Sequence, residues 1–261
     1  MKVFAFLCVV ATAMAIPGPD KRIVKGSPPA VLFAHPHQAS IQVNNNGDWH
    51  HMCGGSLIAD NKVLTAAHCL EGQTASKMRV EFGTVTLFDA SNGYEQIVSV
   101  SSFVIHADYN PNSAGIPNDI GLIYLSSTVT LNEHVQIATL APSGSSFDNT
   151  KCFISGFGFT SKSGPVSPQL LEVKLTQLTT DDCASRWPEE NINIKHICIF
   201  DDSETDPTTR PGACMGDSGG PMMCGDTFEY LAGVTSWGGS SCSGKLLFER
   251  FGIEWELCKE M

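Results

Sequence analysis

The chain has 261 residues, of which 42% are apolar and only 16% charged, with 24 Gly and 14 Pro. Its formal net charge of -11 repels phosphate backbones and argues against nucleic-acid binding; the charge itself reads as solubility. This composition excludes a long charged helical rod and favours short strands joined by many turns. Runs such as Lys62-Val63-Leu64-Thr65 and Gln96-Ile97-Val98-Ser99-Val100 fit that reading, and the length suits one large domain or two small ones.

In chain order, residues 1–15 read as a secretory signal peptide. Lys2 supplies the positive start, Val3 to Ala11 the short apolar run and Ala13-Met14-Ala15 the small-x-small cleavage site. No later stretch reaches the roughly 18 apolar residues of a membrane span, so no membrane association is expected. Residues 16–22 read as a propeptide that ends in the basic pair Lys21-Arg22, before the apolar start Ile23-Val24. A secretory route leads to an oxidising, extracellular setting in which disulfides persist. Of ten Cys, Cys8 leaves with the signal, so nine remain and at least one is unpaired within a monomer. No CxxC pair occurs, which weakens a metal reading. Ala141 to Ser146 is a polar, turn-rich seam near the middle of the mature chain, and Asp201 to Gly212 reads as an acidic surface loop. No N-x-[ST] acceptor is present, so N-glycosylation is not expected.

Three motifs carry chemistry. Leu64-Thr65-Ala66-Ala67-His68-Cys69 places a His between a strand-like run and a Cys; Asn118-Asp119-Ile120-Gly121-Leu122-Ile123 leads an Asp into an apolar strand. A buried Asp needs a partner, and an imidazole N–H is a suitable one. Gly216-Asp217-Ser218-Gly219-Gly220-Pro221 surrounds a serine with bare backbone. A serine hydroxyl needs an adjacent base and donors for a developing oxyanion, and glycines let amide N–H groups point at a substrate oxygen.

Taken in this order, His then Asp then Ser, the motifs resemble those of the chymotrypsin/trypsin family of serine proteases, over Ile23 to about Gly244. The resemblance implies an all-β fold of two Greek-key antiparallel β-barrels, about 23–141 and 150–261 within a protease domain at 23–261, with the active site in the cleft between them. It implies His68, Asp119 and Ser218 as catalytic residues and the amides of Gly216 and Ser218 as oxyanion hole. It also implies cleavage after Arg22 by an activating protease, freeing an Ile23 amino group to pair with Asp217. Four disulfides follow from it: Cys53–Cys69, Cys152–Cys224, Cys183–Cys198 and Cys214–Cys242. Spacing alone leaves the connectivity open, and Cys258 has no family partner.

For specificity, Ser236-Trp237-Gly238 resembles the family's strand that pairs with substrate and walls the primary pocket. Gly212, six residues before Ser218, occupies the pocket floor where trypsin-like members carry Asp, and Ala213 follows it. An uncharged floor, with Trp187-Pro188 as a chymotrypsin-like support, implies cleavage after Phe, Tyr, Trp or Leu. An elastase-like or collagenolytic taste is the alternative if a wall residue intrudes, and a carboxylate from elsewhere would restore basic specificity. Glu95 matches one acidic ligand of the family's calcium loop but Thr84 stands where a second is wanted, so no metal and no cofactor is expected. The C-terminus departs from the family: from Leu246 to Cys258 the chain lacks the usual Pro-Gly-Val-Tyr-like strand, which leaves the second barrel without its closing element. The expected protein is a secreted, monomeric digestive endopeptidase made as a zymogen and acting on protein or peptide substrates. A non-catalytic binding relative, which would lose a triad member, and a narrow activating protease are the competing readings.

Overall fold

The computed structural model describes residues 34–89, 93–161, 163–201, 210–239, 242 and 245–250. Six strands form a first closed barrel: β1 (Gln38–Asn45), β2 (Asp48–Ala59), β3 (Lys62–Thr65), β4 (Met78–Phe82), β5 (Gln96–Ile105) and β6 (Gly121–Leu125), in the order β1-β2-β3-β6-β5-β4. Asn46-Gly47 makes the two-residue turn between β1 and β2, with φ of 57° and 104°. Those left-handed conformations match the twist of the flanking strands. In β5 burial alternates from residue to residue, Val98 and Val100 facing the barrel interior and Ile97 and Ser99 facing out, as the period of a half-buried strand requires. The interior is filled by Ile41, Leu57, Leu64, Val80, Phe82, Leu122 and Ile123, all at most 1% exposed.

The β3–β6 pairing positions the site. Its register sets Thr65 opposite Gly121. The residues just after β3 and just before β6, His68 and Asp119 among them, therefore emerge at one rim of the barrel.

The second half holds β7 (Thr139–Leu140), β8 (Lys151–Gly156), β9 (Leu171–Gln177), β10 (His196–Phe200), β11 (Pro221–Cys224), β12 (Tyr230–Gly238) and β13 (Lys245–Arg250). They run in the order β11-β8-β9-β10-β13-β12-β7, and β11 also pairs with β12. That extra pairing closes six of these strands into a second barrel, around Ile154, Leu175, Ile199, Met222 and Phe248. A short helix, α1 (Thr180–Arg186), sits between β9 and β10. Thr179 caps it by accepting from the Asp182 N–H at 3.1 Å, with Asp181 and Asp182 in its first turn. The structure contains the four disulfides that the resemblance implied.

One expectation is corrected. The second barrel does not lack its closing strand: β13 pairs antiparallel with β10, from His196↔Glu249 to Phe200↔Lys245, and with β12, from Gly233↔Arg250 to Gly238↔Leu246. The apolar run Leu246-Leu247-Phe248 meets the requirement of that slot, a short strand with neighbours on both edges, although it does not resemble the family's usual string. Phe248 is fully buried. The signal, the propeptide with Arg22 and Ile23, and the segment with Cys258 lie outside the described residues.

If Phe248 holds the second barrel shut, Phe248→Ala lowers the unfolding free energy by about 3–5 kcal/mol, the cost of emptying an aromatic core position. Urea unfolding with disulfides intact measures it; a loss below about 1 kcal/mol, the range of surface changes, would contradict the closing role of β13.

Candidate active site

His68 lies in the 3-10 turn Ala67–Cys69 that follows β3, and the Cys53–Cys69 bridge ties that turn to β2. Asp119 directly precedes Ile120 and β6 and is 1% exposed. Its Oδ1 accepts from the His68 backbone N–H at 2.9 Å. Its Oδ2 accepts from His68 Nδ1 at 2.7 Å and from the Ser236 hydroxyl at 2.5 Å. Three donors thus offset the desolvation of one buried carboxylate. An ionised carboxylate only accepts, so Nδ1 carries the imidazole proton and Nε2 is left as the basic nitrogen. The His68 side chain is 34% exposed, so that nitrogen belongs to an imidazole open to the cleft.

Ser218 comes from the second barrel and is pressed onto the first. Its carbonyl accepts from the Gly54 N–H at 2.7 Å. Gly54 follows Cys53, whose disulfide partner Cys69 follows His68, so one hydrogen bond and one disulfide link the serine turn to the histidine turn. Gly219 makes this contact feasible. Its φ is +78°, and a Cβ there would stand 2.1 Å from Thr65 Oγ1 and 2.6 Å from the Gly54 carbonyl oxygen; only a residue without Cβ fits both constraints. Among the described residues the Ser218 hydroxyl makes no hydrogen bond to His68, and the N–H groups of Gly216 and Ser218 have no acceptor. Hydrogen bonds of this kind are often long until substrate closes them. The two bare amides flank the serine, as stabilisation of a developing oxyanion requires.

Beside Ser218 opens a cavity of about 340 Å³. Ala213, Ser236, Trp237 and Gly238 line it, as do Cys214 and Cys242, whose disulfide joins its walls. Among the described residues no charged side chain is on the lining. Gly212, expected at the pocket floor, is buried and is not on the lining, whereas Ala213 is. Trp187 packs edge-on against Trp237, with ring centroids 6.1 Å apart, and so supports that wall.

Two site residues, Met215 and His51, had no readable sequence signal, and Ser236, expected only as a wall residue, has a second role. Met215 is 52% exposed on the cavity lining. Ser236 is a donor to Asp119 as well as a wall residue. His51 accepts at Nδ1 from the Ser40 hydroxyl, 2.9 Å, and donates from Nε2 to the Gly216 carbonyl, 2.9 Å. It therefore anchors Gly216 as a neutral ring; burial pulls its pKa down to about 4, against the opposing pull of the Gly216 bond.

Asp217 is 2% exposed. Its Oδ1 accepts from Gly158 N–H at 2.7 Å and its Oδ2 from Cys214 N–H at 2.8 Å. Burial pushes its pKa up to about 6, and the two amide bonds counter only part of that. Among the described residues no cation reaches it.

This two-barrel arrangement, with an aspartate-held imidazole at the rim of one barrel and a serine turn of the other pressed onto it, is that of a hydrolase of the chymotrypsin type. The chain belongs to the trypsin family of chymotrypsin-like serine endopeptidases: the family profile described as Trypsin matches residues 23–250. The chymotrypsin-like serine proteinase of Haliotis rufescens is 39% identical over 242 residues, covering 91% of this chain and 89% of its own. Chymotrypsin-like elastase family member 1 of Rattus norvegicus is 35% identical over 240 residues, covering 90% and 86%. Among solved structures, human heparin binding protein matches with a TM-score of 0.75 at 26% identity, over 90% of this chain and 94% of its own.

The raised Asp217 pKa sets a pH dependence for the uncleaved chain. The folded form holds a proton between about pH 4 and pH 6 that the unfolded form has released, so stability falls as pH rises through that window and levels off above it. About two pKa units correspond to roughly 3 kcal/mol. Asp217→Asn should abolish this slope, as read from unfolding midpoints across pH 4–7; an unchanged slope would assign it to other groups.

Proposed function

We propose that this chain is a secreted digestive zymogen. Cleavage after Arg22 frees the Ile23 α-ammonium to pair with Asp217, and the processed enzyme, acting as a monomer, cuts proteins after large apolar or aromatic residues. The observation that carries the specificity is the cavity beside Ser218, whose described lining holds no charged side chain and has Trp237 and Gly238 on its wall. The disulfides and the signal-like residues 1–15 support an extracellular setting. The names of the abalone and rat relatives support a chymotrypsin- or elastase-like taste.

In this reading His68 Nε2 takes the Ser218 proton as the hydroxyl oxygen bonds to the substrate carbonyl carbon. The N–H groups of Gly216 and Ser218 hold the oxyanion. His68 then gives the proton to the leaving amine as the C–N bond breaks, leaving an acyl group on Ser218. Water, deprotonated by His68, releases the acid. Asp119 fixes the imidazole tautomer and stabilises its cation, assisted by the Ser236 hydroxyl. The new α-ammonium supplies the charge that the buried Asp217 carboxylate lacks, which orders the turn carrying Gly216. Heparin binding, the property named for the human neighbour, is not carried over, because the net charge of -11 disfavours a polyanion.

Trypsin-activated protein, profiled on a peptide library, should cut after Phe, Tyr, Trp or Leu; a preference for Arg or Lys would refute the pocket assignment. Ser218→Ala should lower kcat by about 10⁶-fold, and adding His68→Ala should cost little more, because the two act as a unit. Arg22→Gln should leave the chain inactive after trypsin treatment, as followed by an aromatic anilide assay; full activity in that variant would remove the zymogen reading.

A further inference from the structure

The connection between β5 and β6 reaches the second barrel before it delivers Asp119. The Gly115 carbonyl in it accepts two N–H donors from that barrel, Trp237 Nε1 at 2.8 Å and His196 Nε2 at 2.9 Å. Trp237 lines the cavity, whereas His196 opens β10, is 2% exposed and lies outside the cavity lining. The second ring nitrogen of His196 settles its tautomer: Nδ1 accepts from the Asn193 N–H at 3.2 Å, so Nε2 carries the proton. A neutral ring satisfies both bonds, and burial holds its pKa below the ordinary histidine value.

Among the described side chains the charged groups that face His196 are Glu190 and Lys195, of opposite sign, and the β10–β13 register sets Glu249 opposite it. Glu190 and Lys195 grip the same segment. Glu190 Oε2 accepts from the Gly115 N–H at 2.6 Å, and Lys195 Nζ donates to Asn118 Oδ1 at 2.6 Å. The segment they hold requires restraint. Ile116 and Asn118 have φ of 47° and 64°, a region that a β-branched residue rarely enters. Gly115 has φ of +75°, and a Cβ on it would meet His196 Nε2 at 3.2 Å.

We propose that His196 is a positioning residue for peptide hydrolysis. It clamps the Gly115–Asn118 segment against Trp237, so that substrate residues on the acyl side of the cleaved bond are held between this segment and the Trp237 strand. The proposal rests on the reading of Ser218 as nucleophile and assigns part of extended-peptide recognition to a side chain that touches no substrate.

The test compares wild type, His196→Ala and His196→Gln, each cleaved after Arg22 and titrated with a slow-turnover nitrophenyl ester whose burst counts reactive Ser218. Each is then assayed on a single-residue anilide and a tetrapeptide anilide with the same residue at the cleaved bond. In His196→Ala the burst stays complete and the tetrapeptide KM rises about tenfold, the equivalent of one lost hydrogen bond. The short anilide changes by less than about twofold, within ordinary surface-mutation effects. His196→Gln, whose amide N–H reaches the same carbonyl, recovers most of the wild-type KM. The ratio of the two KM values rises in acid for wild type, as a proton on Nδ1 displaces the Asn193 N–H, and stays flat for His196→Gln.

Equal losses on both substrates with a complete burst would overturn the His196 assignment alone, and so would failure of Gln to restore KM. If His196→Ala gives no burst, an acid rise in His196→Gln equal to that of wild type overturns it. Absence of a burst in wild type removes the Ser218 reading and this proposal with it.

Discussion

One buried carboxylate joins the two halves of this protein. Asp119 is 1% exposed and collects two N–H donors from the first barrel, both from His68, and one O–H donor from the second, Ser236. A charge in that location is tolerated only with such partners. The two barrels must therefore meet in one relative placement for Asp119 to be satisfied, and that same placement brings Ser218 to the imidazole's side of the cleft. Core packing within each barrel builds the frames; this polar junction sets how they face each other.

A second buried carboxylate behaves oppositely. Asp217 has two amide donors and, among the described residues, no cation; its pKa is pushed up to about 6 by burial. Asp119 sits in a completed network, whereas Asp217 sits one positive charge short. This contrast between adjacent parts of one cleft is the physical support for the proposed activation by a new α-ammonium.

Legibility in the sequence followed the range of the interactions. His68, Asp119 and Ser218 stood out because each lies in a local string with its own chemistry; short apolar runs and abundant turn residues favoured strands, while the all-β fold itself was implied by the resemblance. The disulfide pairs and the two-barrel architecture came from family resemblance; spacing alone did not give them. The Ser236–Asp119 bond joins residues 117 positions apart, and the His51–Gly216 bond joins residues 165 apart. No local pattern announces such contacts. Met215 was unreadable for a different reason, since a methionine in a loop looks the same whether it borders a cavity or a bare surface. The closing strand is not legible as a family-like string, since the slot between β10 and β12 asks only for an apolar run of strand length such as Leu246-Leu247-Phe248.

The close approach at Gly219 has a consequence for redesign. Ser218 itself is half-buried on the lining of a cavity of about 340 Å³, which leaves room beside its side chain. Its neighbour has no such room, since even one added methyl would collide with the threonine and carbonyl opposite and wedge the halves apart. Attempts to install new chemistry in this cleft therefore have room beside the reactive atom and none one residue further on.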